Sequence, residues 1–161
     1  MQQKYTGFVI ANLSDLLNKG NAHASLDEAL QGIAFDLLGK EVSGLPYSLW
    51  QLADHIRITQ WDIVEFSRNA KHLSPEWPEG YWPSEIKPAS PAVWEKCVEQ
   101  IKWDRTSFIE LLLNAGDDIY KPFDHGDGQS LLKEALVLAD HNSYHTGQII
   151  VLRRMLNDWS Q

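Results

Sequence analysis

This chain is poor in cysteine, in cations and in long apolar runs, and each shortage narrows what it can be. A single cysteine, Cys97, among 161 residues excludes an internal disulfide and fits a reducing cytoplasm. Cys97 falls in a helical pattern, where a small buried thiol is expected rather than a nucleophile. Lys and Arg total 14 against 22 Asp and Glu, and the resulting net charge of −8 argues against general binding to a nucleic-acid backbone. No apolar run approaches the roughly 18 residues that a membrane span requires. Met1-Gln2-Gln3-Lys4-Tyr5 lacks the apolar centre of a signal peptide. There is no Gly-rich phosphate loop, no Cys-based zinc motif, no Ser-His-Asp set and no strand pattern.

What remains is a globular composition, 43% hydrophobic, that suits one domain spanning residues 1–161. The apolar periodicity is helical throughout. Phe8, Val9, Leu13, Leu16 and Leu17 predict a first helix over about 6–18, closed by Gly20 and Asn21. Ser25-Leu26-Asp27-Glu28 has the form of a capping box and predicts a short helix from there to about Leu38. Ser48-Leu49-Trp50-Gln51 is a second capping box, opening a long helix to about Asn69, with Leu49, Leu52, Ala53, Ile56, Ile63 and Phe66 on its buried side. Ser90 followed by Pro91 opens another, to about Ala115, with Val93, Val98, Ile101, Phe108, Leu111 and Leu112 inward. Ser130 caps the last, from Leu131 to about Asn157, with Arg153 and Arg154 suited to the negative end of its dipole. Four long helices and one short one make an all-α bundle.

Two connections stand out. Residues 70–90 carry Pro75, Pro78, Pro83 and Pro88 with Trp77, Tyr81 and Trp82, a proline density that forbids a long helix. A crossover running the length of a bundle needs such a loop, with its aromatics packed on the bundle wall; lining a substrate pocket is the other use open to them. His72 begins this loop and is expected to be exposed. His125-Gly126-Asp127-Gly128 reads as turn chemistry.

The chemistry lies in the last helix, at Asp140-His141-Asn142-Ser143-Tyr144-His145. Residues four apart share a helix face, so both imidazoles can reach one metal ion. With 6 histidines in the chain, such a pair arises by chance in roughly one sequence of this kind in five. Its position adds weight: His141 and His145 interrupt an apolar line running from Leu138 to Leu152, where buried imidazoles need a metal or hydrogen-bonding partners. Leu52-Ala53-Asp54-His55 repeats Leu138-Ala139-Asp140-His141. Three histidines from two helices would leave a position open on a tetrahedral metal, as in catalytic sites. Spacing alone leaves the metal and the hydrogen-bonded core both open.

Ser48-Leu49-Trp50-Gln51-Leu52-Ala53-Asp54-His55-Ile56, together with Glu134-Ala135-Leu136 and Asp140-His141-Asn142-Ser143-Tyr144-His145-Thr146-Gly147-Gln148-Ile149, resembles the DinB-like family, which is also grouped with bacterial metal-dependent thiol transferases. Trp77-Pro78-Glu79-Gly80-Tyr81-Trp82-Pro83 looks like a subgroup of it. The resemblance covers nearly the whole chain. It implies a four-helix bundle with up-down-down-up connections, in which the 70–90 loop is the crossover, and a divalent metal, zinc or nickel, on His55, His141 and His145. It also implies a homodimer, as in many members, and a reaction in which the metal presents a low-molecular-weight thiol, such as bacillithiol, mycothiol or glutathione, to an electrophile. Gln148 and Asp62 are then candidates to hold a ring N–H or a bound water. Asp54 and Asp140 read as ordinary surface residues, and the segment 20–47 as the mouth of the site. A non-catalytic metal-binding stress-response dimer and a metal-dependent hydrolase are the alternatives.

Overall fold

The computed structural model describes residues 2–159. They form α1 (Gln2–Asn18), α2 (Leu26–Leu30), α3 (Leu49–Arg68), α4 (Pro91–Ala115) and α5 (Leu131–Met155), with three short 3-10 turns between them. There is no strand among the described residues. No helix among the described residues is long and apolar enough to cross a membrane.

Helix starts follow the serine caps. Ser25 and Ser48 each accept from the backbone N–H three residues on, while Glu28 and Gln51 reach back to the cap N–H. Ser90 and Ser130 cap α4 and α5 through Val93 and Lys133. The short helix expected to reach Leu38 stops at Leu30. Gln31 turns extended, with φ −69° and ψ 135°, and Gly32 takes a φ of +71°, so the backbone leaves the helix and re-forms only as a 3-10 turn at Phe35–Leu37. In α1 the buried line is Thr6, Ile10, Leu13 and Leu17, each three or four residues from the next. Phe8 and Leu16, expected inside, fall off that line and are exposed, as Val93 is in α4.

Two apolar clusters fill the interior. The first joins Leu26 and Leu30 of α2, Leu49, Leu52 and Ile56 of α3, Cys97 and Ile101 of α4, and Ile149 and Leu152 of α5. The second joins Ile10, Leu13 and Leu17 of α1, Ile63 and Val64 of α3, Phe108 and Leu112 of α4, and Leu131 and Leu138 of α5. α3 and α4 thus both leave the first cluster for the second, and α5 returns. Between the clusters lies a polar layer of His55, Gln60, Asp104, Arg105, Asn142 and His145, all buried. Buried polar groups cost free energy unless partnered, so this layer is held by hydrogen bonds. Gln60 donates to the Ile101 carbonyl of α4 and accepts from Asn142 Nδ2 of α5 at 3.0 Å. Arg105 and Arg153 clamp α2, through Asp27 at 2.7 Å and the carbonyls of Ala29 and Gln31 at 2.8 and 2.9 Å.

The 70–90 loop runs back along α3. Tyr81 Oη donates to Asp62 at 2.6 Å, Gln51 donates to the Pro83 carbonyl at 3.3 Å and Ser48 Oγ donates to the Ile86 carbonyl at 2.6 Å. Gly80 is required on this path: a Cβ there would lie 2.7 Å from Pro75 Cβ. The loop therefore returns the chain to the end of α3 at which it began, and α4 starts there.

Candidate metal centre

His55 reaches the site from α3, His141 and His145 from α5. One ring nitrogen from each lies within 4.8 Å of the other two. His55 and His145 are buried and His141 is half-buried. Nε2 of His55 and Nε2 of His141 are 3.0 Å apart. Nitrogens on a tetrahedral metal at about 2.0–2.1 Å are separated by little more than this.

The hydrogen bonds around the rings decide where the lone pairs point. His55 Nδ1 donates to the Tyr81 carbonyl at 2.8 Å. His145 Nδ1 donates to Gln148 Oε1 at 2.6 Å. A carbonyl oxygen only accepts, so each ring carries its proton on Nδ1 and leaves Nε2 bare. These are the outer partners that metal-binding histidines need for orientation. His141 differs: its Nδ1 and the adjacent Asn142 Oδ1 are both buried without a hydrogen-bond partner among the described residues.

Electrostatics keep the set neutral. Burial lowers the His55 pKa, with His145 adding to the drop against the opposing Tyr81 carbonyl. Burial lowers His145 also, against the pull of Gln148. His141 falls to about 3, chiefly through burial, then through the neighbouring His145 and His55, with the Asn142 side chain offsetting part of it. Three converging imidazoles, neutral at pH 7, fit a divalent ion, with one adjustment: His141 Nε2–H donates to the bare His55 Nε2 at 3.0 Å, and its proton would move to Nδ1 for the ring to ligate.

The walls are aromatic. The Trp82 ring lies flat on His55, with centroids 3.9 Å apart and planes within 4°. Tyr47 stacks beyond Trp82 at 6.2 Å, so the segment before α3 does reach the rim. Tyr144, 65% exposed, stands edge-on to His145 at 4.9 Å and marks the approach from solvent.

Three expectations change. Asp62 touches none of the three histidines. It accepts from Tyr81 Oη and pairs with His72 Nε2 at 2.7 Å, so it holds the loop whose Tyr81 carbonyl holds His55. His72 is accordingly folded back, not exposed; its side chain is 8% accessible. Asp54 is buried, not a surface residue, because Arg57 pairs with it and Cys97 Sγ lies 3.8 Å away. Of the loop aromatics, for which packing on the bundle wall and lining a pocket were both open, Trp82 borders the histidines with its ring and Tyr81 reaches them through its backbone carbonyl, a contact that no sequence pattern signals. Cys97 is buried, as expected, and burial pushes its thiol up to about 12.

Comparison with protein-family models, curated proteins and solved structures gives no match.

Proposed function

We propose that this chain is a DinB-like four-helix bundle of up-down-down-up order that binds one divalent metal, zinc or nickel, at His55, His141 and His145, and acts as a metal-dependent thiol S-transferase. The observation that carries the reading is the convergence of three neutral imidazoles, two of them with Nδ1 held by acceptors. The bundle order is supported by α3 and α4 passing between the two apolar clusters in the same sense, with a crossover loop laid back along α3.

A divalent ion at such a site lowers the pKa of a thiol or water bound at its open position and supplies thiolate or hydroxide near neutral pH. The chain's own part is to hold the rings and shape the approach. The Tyr81 carbonyl and Gln148 fix two imidazoles, Trp82 walls off one side, and Tyr144 borders the open one. The partners of the three rings are a backbone carbonyl, an amide oxygen and one another, with no separate acid, base or nucleophile hydrogen-bonded to them among the described residues. That favours, as a second reading, a metal-binding protein without catalysis.

The test is elemental analysis of the untagged protein, followed by conjugation assays. About one metal per chain, lost in His55→Ala, His141→Ala and His145→Ala, supports the centre. Metal-dependent conjugation of bacillithiol, mycothiol or glutathione to an electrophilic dye supports the enzyme. Full metal loading without turnover on any of the three thiols favours the non-catalytic reading, and no metal after reconstitution with zinc and nickel overturns both.

A further inference from the structure

A second concavity lies away from the histidines, between α3, α4 and the crossover loop, with a volume of about 670 Å³. Small-molecule sites commonly fall between about 300 and 1,000 Å³. On α3 its wall is the line Trp50, Asp54, Arg57, Ile58 and Trp61; on α4 it is Val93, Lys96, Cys97 and Gln100. Helical spacing accounts for both lines, and it turns the α3 line roughly a third of a turn away from His55. Pro75 and Gly80 close the cleft from the loop.

We propose that this cleft is a binding site for a small molecule with a flat apolar body and a carboxylate, separate from the metal centre. Three observations point there. The first is charge. In a chain of net charge −8, the cleft wall carries Arg57 and Lys96 against the one carboxylate that lines it, Asp54, with the buried Asp104 acting on Arg57 from behind. Local positive charge on an acidic protein draws small anions to that spot. The second is an unused donor surface. Arg57 gives its Nε to Asp54, while its two Nη groups have no oxygen acceptor among the described residues. That leaves the outer edge of the guanidinium free for a carboxylate. The third is apolar surface beside that charge: Trp50 and Trp61 of α3 both line the cleft.

The apolar requirement comes from the same residues. Trp50, Ile58 and Trp61 line the cleft from α3, and Pro75 and Val93 add apolar surface from the loop and α4. A flat ring fits between them and gains from burial and from ring contacts. The Cys97 thiol forms part of the floor, but it is buried and held protonated, so the ligand is bound and not covalently attached.

The test is calorimetric titration of the full chain with 2-naphthoate and with 2-naphthylmethanol, which has the same body and no charge. The proposal expects 2-naphthoate to bind at a single site, and the alcohol to bind about tenfold more weakly or worse, the loss of one charge-assisted hydrogen bond. Arg57→Gln should lower 2-naphthoate affinity by about tenfold, and Lys96→Gln by less. Val93→Trp, at an exposed position on the rim, should block binding while leaving the helical spectrum unchanged. His145→Ala should leave binding intact, which separates this cleft from carboxylate coordination at a metal. Equal affinity for the alcohol overturns the proposal, as does no binding at millimolar concentration. Binding lost in His145→Ala but kept in Val93→Trp overturns it also. None of these outcomes depends on whether the metal reading holds.

Discussion

Trp82 lies flat against His55, with ring centroids 3.9 Å apart, although 27 residues separate them in the chain. The indole comes from the 70–90 loop and forms one wall of the candidate metal centre. It excludes water from that side and limits the ring's rotation. Trp82→Ala should therefore weaken metal binding by about tenfold, within the range seen when outer partners of a metal site are removed. Trp82→Phe, which keeps a flat wall, should recover most of it. Competition with a chromophoric chelator measures both, and equal affinities in all three proteins would remove Trp82 from the site.

Gln148 accepts from His145 Nδ1 at 2.6 Å, while Tyr81 serves His55 through its backbone carbonyl. The two are not equally exposed to mutation. Gln148→Ala deletes the acceptor itself and should cost about 10- to 100-fold in metal affinity. Tyr81→Phe deletes only the Oη bond to Asp62, leaves the carbonyl, and should cost less. The same chelator competition ranks them. A larger loss in Tyr81→Phe would mean that the loop's anchorage matters more than the acceptor.

Much of this architecture is written locally. Ser25, Ser48, Ser90 and Ser130 cap helices because each side chain bonds a backbone N–H three residues away, a relation visible in sequence. His141 and His145 share a face for the same reason, and the Leu-Ala-Asp-His echo brings in His55. What was not legible depends on the path of the 70–90 loop. Neither the Trp82 stack nor the Tyr81 carbonyl bond leaves a periodic trace, because both join α3 to a loop without repeating structure. His72 carries no periodic signal of burial; the return of the loop along α3 is what brings its ring to Asp62. The early stop of α2 was marked by Gly32, which the apolar run through Ile33 and Leu38 obscured.

A metal that binds only the folded chain stabilises it by mass action. At a free concentration about 100 times Kd the gain is about 2.7 kcal/mol. For a domain of this size that corresponds to a rise in Tm of roughly 5–10 °C. Zinc or nickel should produce that rise in the wild type and none in His145→Ala. A rise of equal size in the variant would place the stabilising ion elsewhere on the chain.

Asp104 offers a pH-dependent test of the polar layer that is independent of the histidines. Its side chain is fully buried; Gln100 Nε2 donates to Oδ1 at 2.8 Å, and Oδ2 has no partner among the described residues. Burial raises the carboxyl pKa to about 6, from the usual 3.8, against the opposing pull of Gln100 and Arg57. A group whose pKa is raised on folding binds its proton more tightly in the native state. Its stabilising contribution is therefore complete below about pH 4 and is lost as pH rises through about 6. Above that, a buried carboxylate costs on the order of 2–3 kcal/mol. Asp104→Asn keeps the Oδ1 acceptor and removes the charge. It should leave stability near pH 4 almost unchanged and raise it at pH 7.5, with the difference opening between about pH 4 and 6. Urea unfolding of both proteins across that range measures it. If the variant is instead the less stable protein at pH 7.5, the Asp104 charge is held by the layer, and the attraction of Arg57 outweighs the burial.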